Sequence, residues 1–259
     1  YPVSPENQRD YIERTLIGFD IASNSSVIIA GLVRDAEKTL PYNLSRIERL
    51  GAFFLDCQFC VFENDSVDST ADILFNWNPD GEKRVLSQKL GFLKHGSVRT
   101  EQRVSDMAKA RTKLQTMVSE ADYGNWSNYV ILLDLDLDGG FSYEGIMNSL
   151  SYDFDAMASN GLFYDNENRR YYDSYGSKFI PEKTEENKNL TLLHRGEKPV
   201  LVESGFGGLC IYKTSTYLNG KYSVGDWERY CEHIPFHSSM KTFINPSQIT
   251  LYNQTRYSV

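Results

Sequence analysis

Apolar positions along the chain fall into runs of two kinds. Val27 to Val33 (VIIAGLV) is continuous and rich in β-branched residues, which predicts a strand covered on both faces. From about Glu37 to Leu50 the period changes: Leu40, Leu44, Ile47 and Leu50 share one helical stripe, and Gly51 ends it. Ala52 to Phe62 predicts a second strand, followed by the turn-forming ENDSVDST and a helical ADILFNW. A long helix is predicted from about Thr100 to Glu120, and NYVILLDLDLDGG reads as a strand that runs straight into acidic residues. Strand, helix, strand, helix, strand is the pattern of a mostly parallel α/β sheet flanked by helices. The first 26 residues read as a polar, partly helical lead-in, and residues 181–189 (PEKTEENKN) as a mobile surface loop. No internal repeat or linker interrupts the pattern, so the chain reads as one domain.

Composition narrows the function classes. At 259 residues the chain can bury a full core. Its net charge of −8, with no basic run longer than two residues, gives neither nucleic acid nor an anionic membrane surface a positive face to bind. The longest uninterrupted apolar run is Val27 to Val33, far short of the roughly 20 residues of a membrane span. The chain opens on Tyr1 with no signal peptide in view. The expectation is a cytoplasmic protein, with a Golgi or secretory lumen open if an upstream anchor was removed. Sequons at Asn24, Asn43, Asn64, Asn125, Asn189 and Asn253 permit that second location. Cys57 and Cys60 form a C-x-x-C inside a strand-like run rather than at a helix start, so they read as buried thiols and not as a redox or zinc pair.

The candidate chemistry sits at the end of the fourth element. In open α/β sheets ligands collect beyond the carboxyl ends of the strands. Asp134, Asp136 and Asp138 stand at such an end, with Gly139 and Gly140 beyond them, a spacing that suits a hard divalent cation. Carboxylates this close repel one another unless a cation neutralises them. Three other readings fit the acidic segment less well. A calcium EF-hand would need an acidic residue where Gly145 stands, and a helix where a strand is predicted. An aspartate-nucleophile phosphatase usually carries its D-x-D on the first strand. A solvated acidic turn would have no function.

Further segments carry a resemblance: Arg99 to Arg111 (RTEQRVSDMAKAR), Phe154 to Gly161, Tyr171 to Tyr175 (YYDSY), Glu203 to Tyr212 (ESGFGGLCIY) and Cys231 to His237 (CEHIPFH). Together with the D-x-D strand they resemble the GT-A fold (Rossmann-like) glycosyltransferases, in particular capsule-associated mannosyltransferase-like and viral sugar-transfer enzymes. The resemblance implies that residues 27–140 form a nucleotide-binding half and 141–259 an acceptor-side half. It implies an enzyme, a hexosyltransferase, that moves a sugar from a nucleotide-diphosphate donor to a glycan or other hydroxyl acceptor. It further implies Mn²⁺ or Mg²⁺ on Asp136 and Asp138, with Asp134 toward the ribose and His233 or His237 completing the metal shell. Glu232 is expected as the general base that deprotonates the acceptor. Gly31, Arg34 and Asp35 after the first strand, and Glu63, Asn64 and Asp68 after the second, fall where the nucleoside would lie, although loop capping serves Asn64 and Asp68 equally well. Gly207 and Gly208 would border donor sugar and acceptor. Arg111 lies on the apolar face of its helix with Val104, Met107, Ala108, Leu114, Met117 and Val118; a buried guanidinium needs an anion, which is either the diphosphate or a core carboxylate. Arg103 shares much of that face. A nucleotidyltransferase lacks support, since AGLVRDAEKTL has no glycine-rich loop; a carbohydrate- or calcium-binding module without catalysis is the other alternative.

Overall fold

The computed structural model describes residues 2–95, 98–165, 168–189 and 191–252. In chain order its first half comprises α1 (Gln8–Ser23), β1 (Ser26–Val33), α2 (Leu40–Gly51), β2 (Asp56–Asn64), α3 (Thr70–Asn76), β3 (Glu82–Gln88), α4 (Glu101–Ala121) and β4 (Tyr129–Asp134). The second half comprises α5 (Tyr143–Leu150), β5 (Ala156–Asp165), β6 (Asn168–Tyr171), β7 (Lys178–Phe179), α6 (Glu185–Asn189), β8 (Val200–Ser204), β9 (Leu209–Lys213), α7 (Thr214–Asn219), α8 (His233–His237) and β10 (Thr242–Tyr252).

One sheet runs through both halves in the order β3-β2-β1-β4-β9-β5-β10-β8-β7, with β6 paired to β5. β3, β2, β1 and β4 are mutually parallel. The other strands make the sheet a mixed one: β9 runs antiparallel to both β4 and β5, and β8 antiparallel to β10, while β10 and β5 are parallel. The chain winds outward from β1 to β3 and then returns to place β4 on the other side of β1. The carboxyl ends of β1 and β4 therefore flank the switch point where a crevice opens.

Residue alternation along the central strands explains why they read as unbroken apolar runs. Val27 and Ile29 of β1, and Ile131 and Leu133 of β4, enter a core shared with Leu40, Leu44, Ile47 and Leu50 of α2 and with Ile146, Met147 and Leu150 of α5. Ile28 and Ala30, Val130 and Leu132 enter the opposite core, against Ala110, Leu114, Met117 and Val118 of α4 and against Tyr217 and Phe236. α1, expected as a lead-in, is a 16-residue helix packed on α5. The second strand starts at Asp56 rather than Ala52, because Phe53 and Phe54 turn back to bond the carbonyls of Leu50 and Gly51. β3 escaped the hydrophobic pattern because an edge strand of mixed polarity (EKRVLSQ) needs no apolar run. In the stretch expected as a mobile loop, residues 185–189 form α6 and Lys188 is buried. Cys57 and Cys60 lie in β2 as expected; all four cysteines are free, and burial pushes the Cys57 and Cys60 thiols up to about 12. Among the described residues no helix is long and apolar enough to cross a membrane.

Candidate active site

The parity of β4 builds the site. Val130 and Leu132 face α4, so Asp134, two residues on, reaches the same side, and its carboxylate lies 3.8 Å from Nη2 of Arg111. Leu135 and Leu137 drop into the opposite core, leaving Asp136 and Asp138 half-buried between them at the mouth of the switch point. The acidic segment is pinned from below. The amide of Asn43, fully buried on the apolar stripe of α2, donates to the carbonyls of Leu135 (2.8 Å) and Leu137 (2.7 Å).

Arg111 projects from the α4 face between Ala108 and Leu114 and is 4% exposed. Its Nε donates to Oε1 of Glu232 at 2.7 Å, and its guanidinium lies 4.9 Å from the Phe206 ring centre. Burial opposes the charge, but Glu232 and then Asp134 outweigh it and raise the pKa. The core-carboxylate partner that the sequence left open is thus present. Asp173 completes the group. It holds a left-handed backbone (φ 69°), and its carboxylate accepts the N–H groups of Gly207 (2.9 Å) and Gly176 (3.1 Å). Burial lifts Asp173 to about 6 against those two donors, with Glu232 adding to the rise and Arg111 opposing it. Burial also raises Asp134 well above the carboxylate range; Arg111 opposes this, while Asp136, Asp173 and Glu232 reinforce it. Four carboxylates therefore share one pocket with the Arg111 guanidinium.

The wall opposite is glycine and tyrosine. Gly207 and Gly208 both have positive φ, at 61° and 81°. A Cβ on Gly207 would sit 2.3 Å from the Ser159 carbonyl oxygen, and one on Gly208 would sit 1.9 Å from the Tyr252 hydroxyl. The Gly208 carbonyl accepts the Asp134 N–H at 3.0 Å, so this turn is stitched to the acidic strand end. Tyr252, the last residue of β10, stacks on Tyr172 with ring centres 3.5 Å apart.

His233 and His237 are buried without reaching that pocket's carboxylates as a shell. His233 stacks on Phe206 at 4.3 Å, its Nε2 lies 3.9 Å from Glu232, and neither ring nitrogen has a hydrogen-bond partner among the described residues. Burial, and then Arg111 and His237, hold its pKa well below the ordinary value. His237 accepts or donates between Ser204 Oγ (2.8 Å) and Tyr212 Oη (2.9 Å). Among the described residues no three His, Cys, Asp or Glu side chains are grouped to hold a metal ion. Asp136, Asp138 and His233 are thus not grouped as three ligands among the described residues.

The residues expected around the nucleoside are bonded to the loops beside them. Arg34 donates to the carbonyls of Phe92 (3.1 Å) and Leu93 (3.2 Å), and Asp35 binds the Val67 N–H (2.9 Å) and Lys94 (2.6 Å). Glu63 is buried on the Ser66 N–H (2.8 Å) and the Ser87 hydroxyl. Asn64 donates to Asp65 (2.9 Å), and Asp68 caps Glu37 (3.1 Å) and Thr70 (3.0 Å). Gly31 makes room for Leu135, whose side chain would stand 2.6 Å from a Cβ there. Arg103 lies 5.7 Å from the ring centre of Tyr175, whose carbonyl accepts the Cys231 N–H, so it borders the Glu232 segment without joining Arg111. Asn43 is fully buried with its amide nitrogen engaged, which removes it as a glycan acceptor, while Asn24 and Asn125 are exposed. The sequence reading missed three contributors: Asp173, Tyr252 and Asn43. Asn43 left a signal as a polar residue inside the Leu40–Leu44–Ile47 stripe, and Asp173 lay within the YYDSY segment without being singled out.

No family model matches the chain, and no curated protein matches it by sequence. Solved structures do. The S. aureus TarS fragment 1–349 aligns at TM-score 0.51 and 12% identity, over 88% of this chain and 60% of that one. The same fragment in complex with UDP-GlcNAc gives 0.52 at 10% identity, over 88% and 58%. Mannosyltransferase PcManGT from Pyrobaculum calidifontis, in complex with GDP-Man and Mn²⁺, gives 0.50 at 12% identity, over 95% and 66%. The chain thus spans about 60% of the length of the TarS fragment. At such identities the likeness is one of architecture, and the chain has the α/β fold of the GT-A glycosyltransferases.

Proposed function

We propose that the chain is a divalent-metal-dependent glycosyltransferase, moving a sugar from a nucleoside-diphosphate donor to a hydroxyl of a glycan or other acceptor. One observation carries this reading: Asp134, Asp136, Asp173 and Glu232 converge at the carboxyl end of β4 around Arg111, leaving an excess of negative charge. The strand-end carboxylates Asp134 and Asp136 have the chemistry of hard-cation ligands. Mg²⁺-type ions are held by one or two carboxylates together with substrate phosphates and water, so a closed protein cage is unnecessary. Asp134 and Asp136 would hold Mn²⁺ or Mg²⁺, with Asp138 beyond them, and the ion supplies the positive charge that neutralises the leaving diphosphate. The complexes of similarly folded proteins with UDP-GlcNAc, or with GDP-Man and Mn²⁺, support the donor class. Residues 27–140 and 141–259 both contribute, the first Asp134 and Arg111, the second Asp173, Glu232 and the Gly207–Gly208 turn.

For proton removal from the acceptor hydroxyl we favour Asp173 over Glu232. Oε1 of Glu232 is committed to the Arg111 guanidinium at 2.7 Å, whereas the Asp173 carboxyl, raised to about 6 by burial, is suited to take a proton near neutral pH. Glu232 then orients Arg111 and balances its charge. Thermal stabilisation by a panel of nucleotide sugars, with and without Mn²⁺, tests the reading. One nucleotide family should stabilise the protein only with the ion, and Asp136→Ala should lose that response while staying folded. Full turnover in excess EDTA would overturn the metal role.

A further inference from the structure

Tyr252 ends the last described strand with its hydroxyl in an unusual position. The residue is 8% exposed, and the hydroxyl has no hydrogen-bond partner among the described residues. It is held directly over Gly208, where a Cβ would come within 1.9 Å of the oxygen. That turn is tied on both sides to the acidic pocket: the Gly208 carbonyl takes the Asp134 N–H, and the neighbouring Gly207 N–H binds the Asp173 carboxylate. The phenol oxygen therefore stands between the Asp134 and Asp173 attachments without bonding either. Stacking on Tyr172 at 3.5 Å fixes the ring and its aim. Leaving a buried hydroxyl unpaired costs about 1–3 kcal/mol, so a fold that aims one at a carboxylate pocket gains from it only when a ligand arrives.

The chemistry around the hydroxyl selects the ligand group. A phosphate oxygen only accepts hydrogen bonds, so it can take the phenol proton but has none to give to the surrounding carboxylates. A sugar hydroxyl both accepts and donates, so it can take the phenol proton and give its own to a carboxylate. The paired tyrosine rings add an apolar edge suited to the C–H face of a pyranose. We propose that Tyr252 is a sugar-recognition residue, whose hydroxyl donates to a hydroxyl of the donor's sugar while that group donates to the adjoining carboxylates. This rests on the glycosyltransferase reading above.

The experiment compares wild type with Tyr252→Phe in Mn²⁺, by calorimetric titration of the nucleotide sugar identified by the panel and of its nucleoside diphosphate. Loss of one neutral hydrogen bond should raise the Kd for the nucleotide sugar about 3- to 12-fold and leave that for the nucleoside diphosphate unchanged. Unchanged diphosphate binding also shows that the variant is folded. Donors lacking one hydroxyl each supply the second arm: one of them should cost wild type the same factor and cost Tyr252→Phe nothing further. Equal weakening of both ligands, or no change in either, overturns the role of Tyr252 while leaving the donor reading intact. A wild-type protein that binds no nucleotide sugar overturns the donor reading, and this inference with it.

Discussion

Arg111 balances two carboxylates from different parts of the chain, Glu232 at 2.7 Å and Asp134 at 3.8 Å, in a setting where its own side chain is 5% exposed. Removing one partner of a buried ion pair strands the other's charge and typically costs about 3–5 kcal/mol. Arg111→Met should therefore lower stability by roughly that amount in urea unfolding, and the double variant Arg111→Met/Glu232→Gln should recover part of it. A loss confined to donor affinity, with the unfolding midpoint unchanged, would assign Arg111 to the diphosphate alone. The two acidic candidates separate by rate. Asp173→Asn should bind donor and metal normally yet transfer sugar about 10²- to 10⁴-fold more slowly, and Glu232→Gln should lose stability first and rate less. The opposite ranking returns the base to Glu232.

Among the elements, α2 bears on the site without reaching its opening. Its stripe buries Leu40, Leu44 and Ile47, and Asn43 on the same stripe holds the two carbonyls that alternate with the aspartates. Asn43→Leu keeps the volume and the helix but leaves the Leu135 and Leu137 carbonyls unpaired in the core, at about 1–3 kcal/mol. Because those carbonyls position Asp134, Asp136 and Asp138, the variant should also weaken Mn²⁺-dependent donor stabilisation several-fold at a temperature where it is still folded. Stability lost with the metal response intact would make Asn43 a core residue only. Lys188 of α6 plays a comparable part beneath Asp173, since its ammonium group bonds the carbonyls of Ser174 (3.2 Å) and Ser177 (2.6 Å).

Across the whole molecule, buried titratable groups pull stability in opposite directions with pH. Burial, with Arg111 adding to it, lowers His237 to about 3, so the unfolded chain binds the proton first as pH falls below about 6.5. Its contribution is present above that value and is lost through the window from about 6.5 down to 3, at about 1.4 kcal/mol per pH unit. Asp173, raised to about 6, acts with the other sign: its contribution is present below about 4 and is lost as pH rises to 6. Comparing wild type with His237→Gln isolates the histidine. Between pH 7 and 5 the stability difference between the two should shrink by roughly 2 kcal/mol in urea titrations. A difference independent of pH would mean that His237 binds protons alike in the folded and unfolded chains, and one that grew toward pH 5 would mean that it is protonated in the folded protein.

How much of this was legible in the chain follows from distance along it. The β1 and β4 strands, the α2 stripe and the long α4 helix were readable because each is set by side chains a few residues apart, which alternate or recur with the local backbone period. Asp134 and Asp136 were readable for the same reason, as acidic residues that end an apolar strand. Which groups meet them was not. Arg111 and Glu232 are 121 positions apart, and whether a buried guanidinium faces a diphosphate or a carboxylate depends on where the residue just before α8 is brought relative to α4. Asp173 and Tyr252 reach the pocket only because β9 inserts antiparallel beside β4 and β10 returns beside β5, placing the Gly207–Gly208 turn against the strand end. The stacking of His233 on Phe206 was equally hidden, since their proximity arises only in the folded sheet. Local periodicity determined the elements and one wall of the site; the order in which the sheet assembles decided what stands across from it.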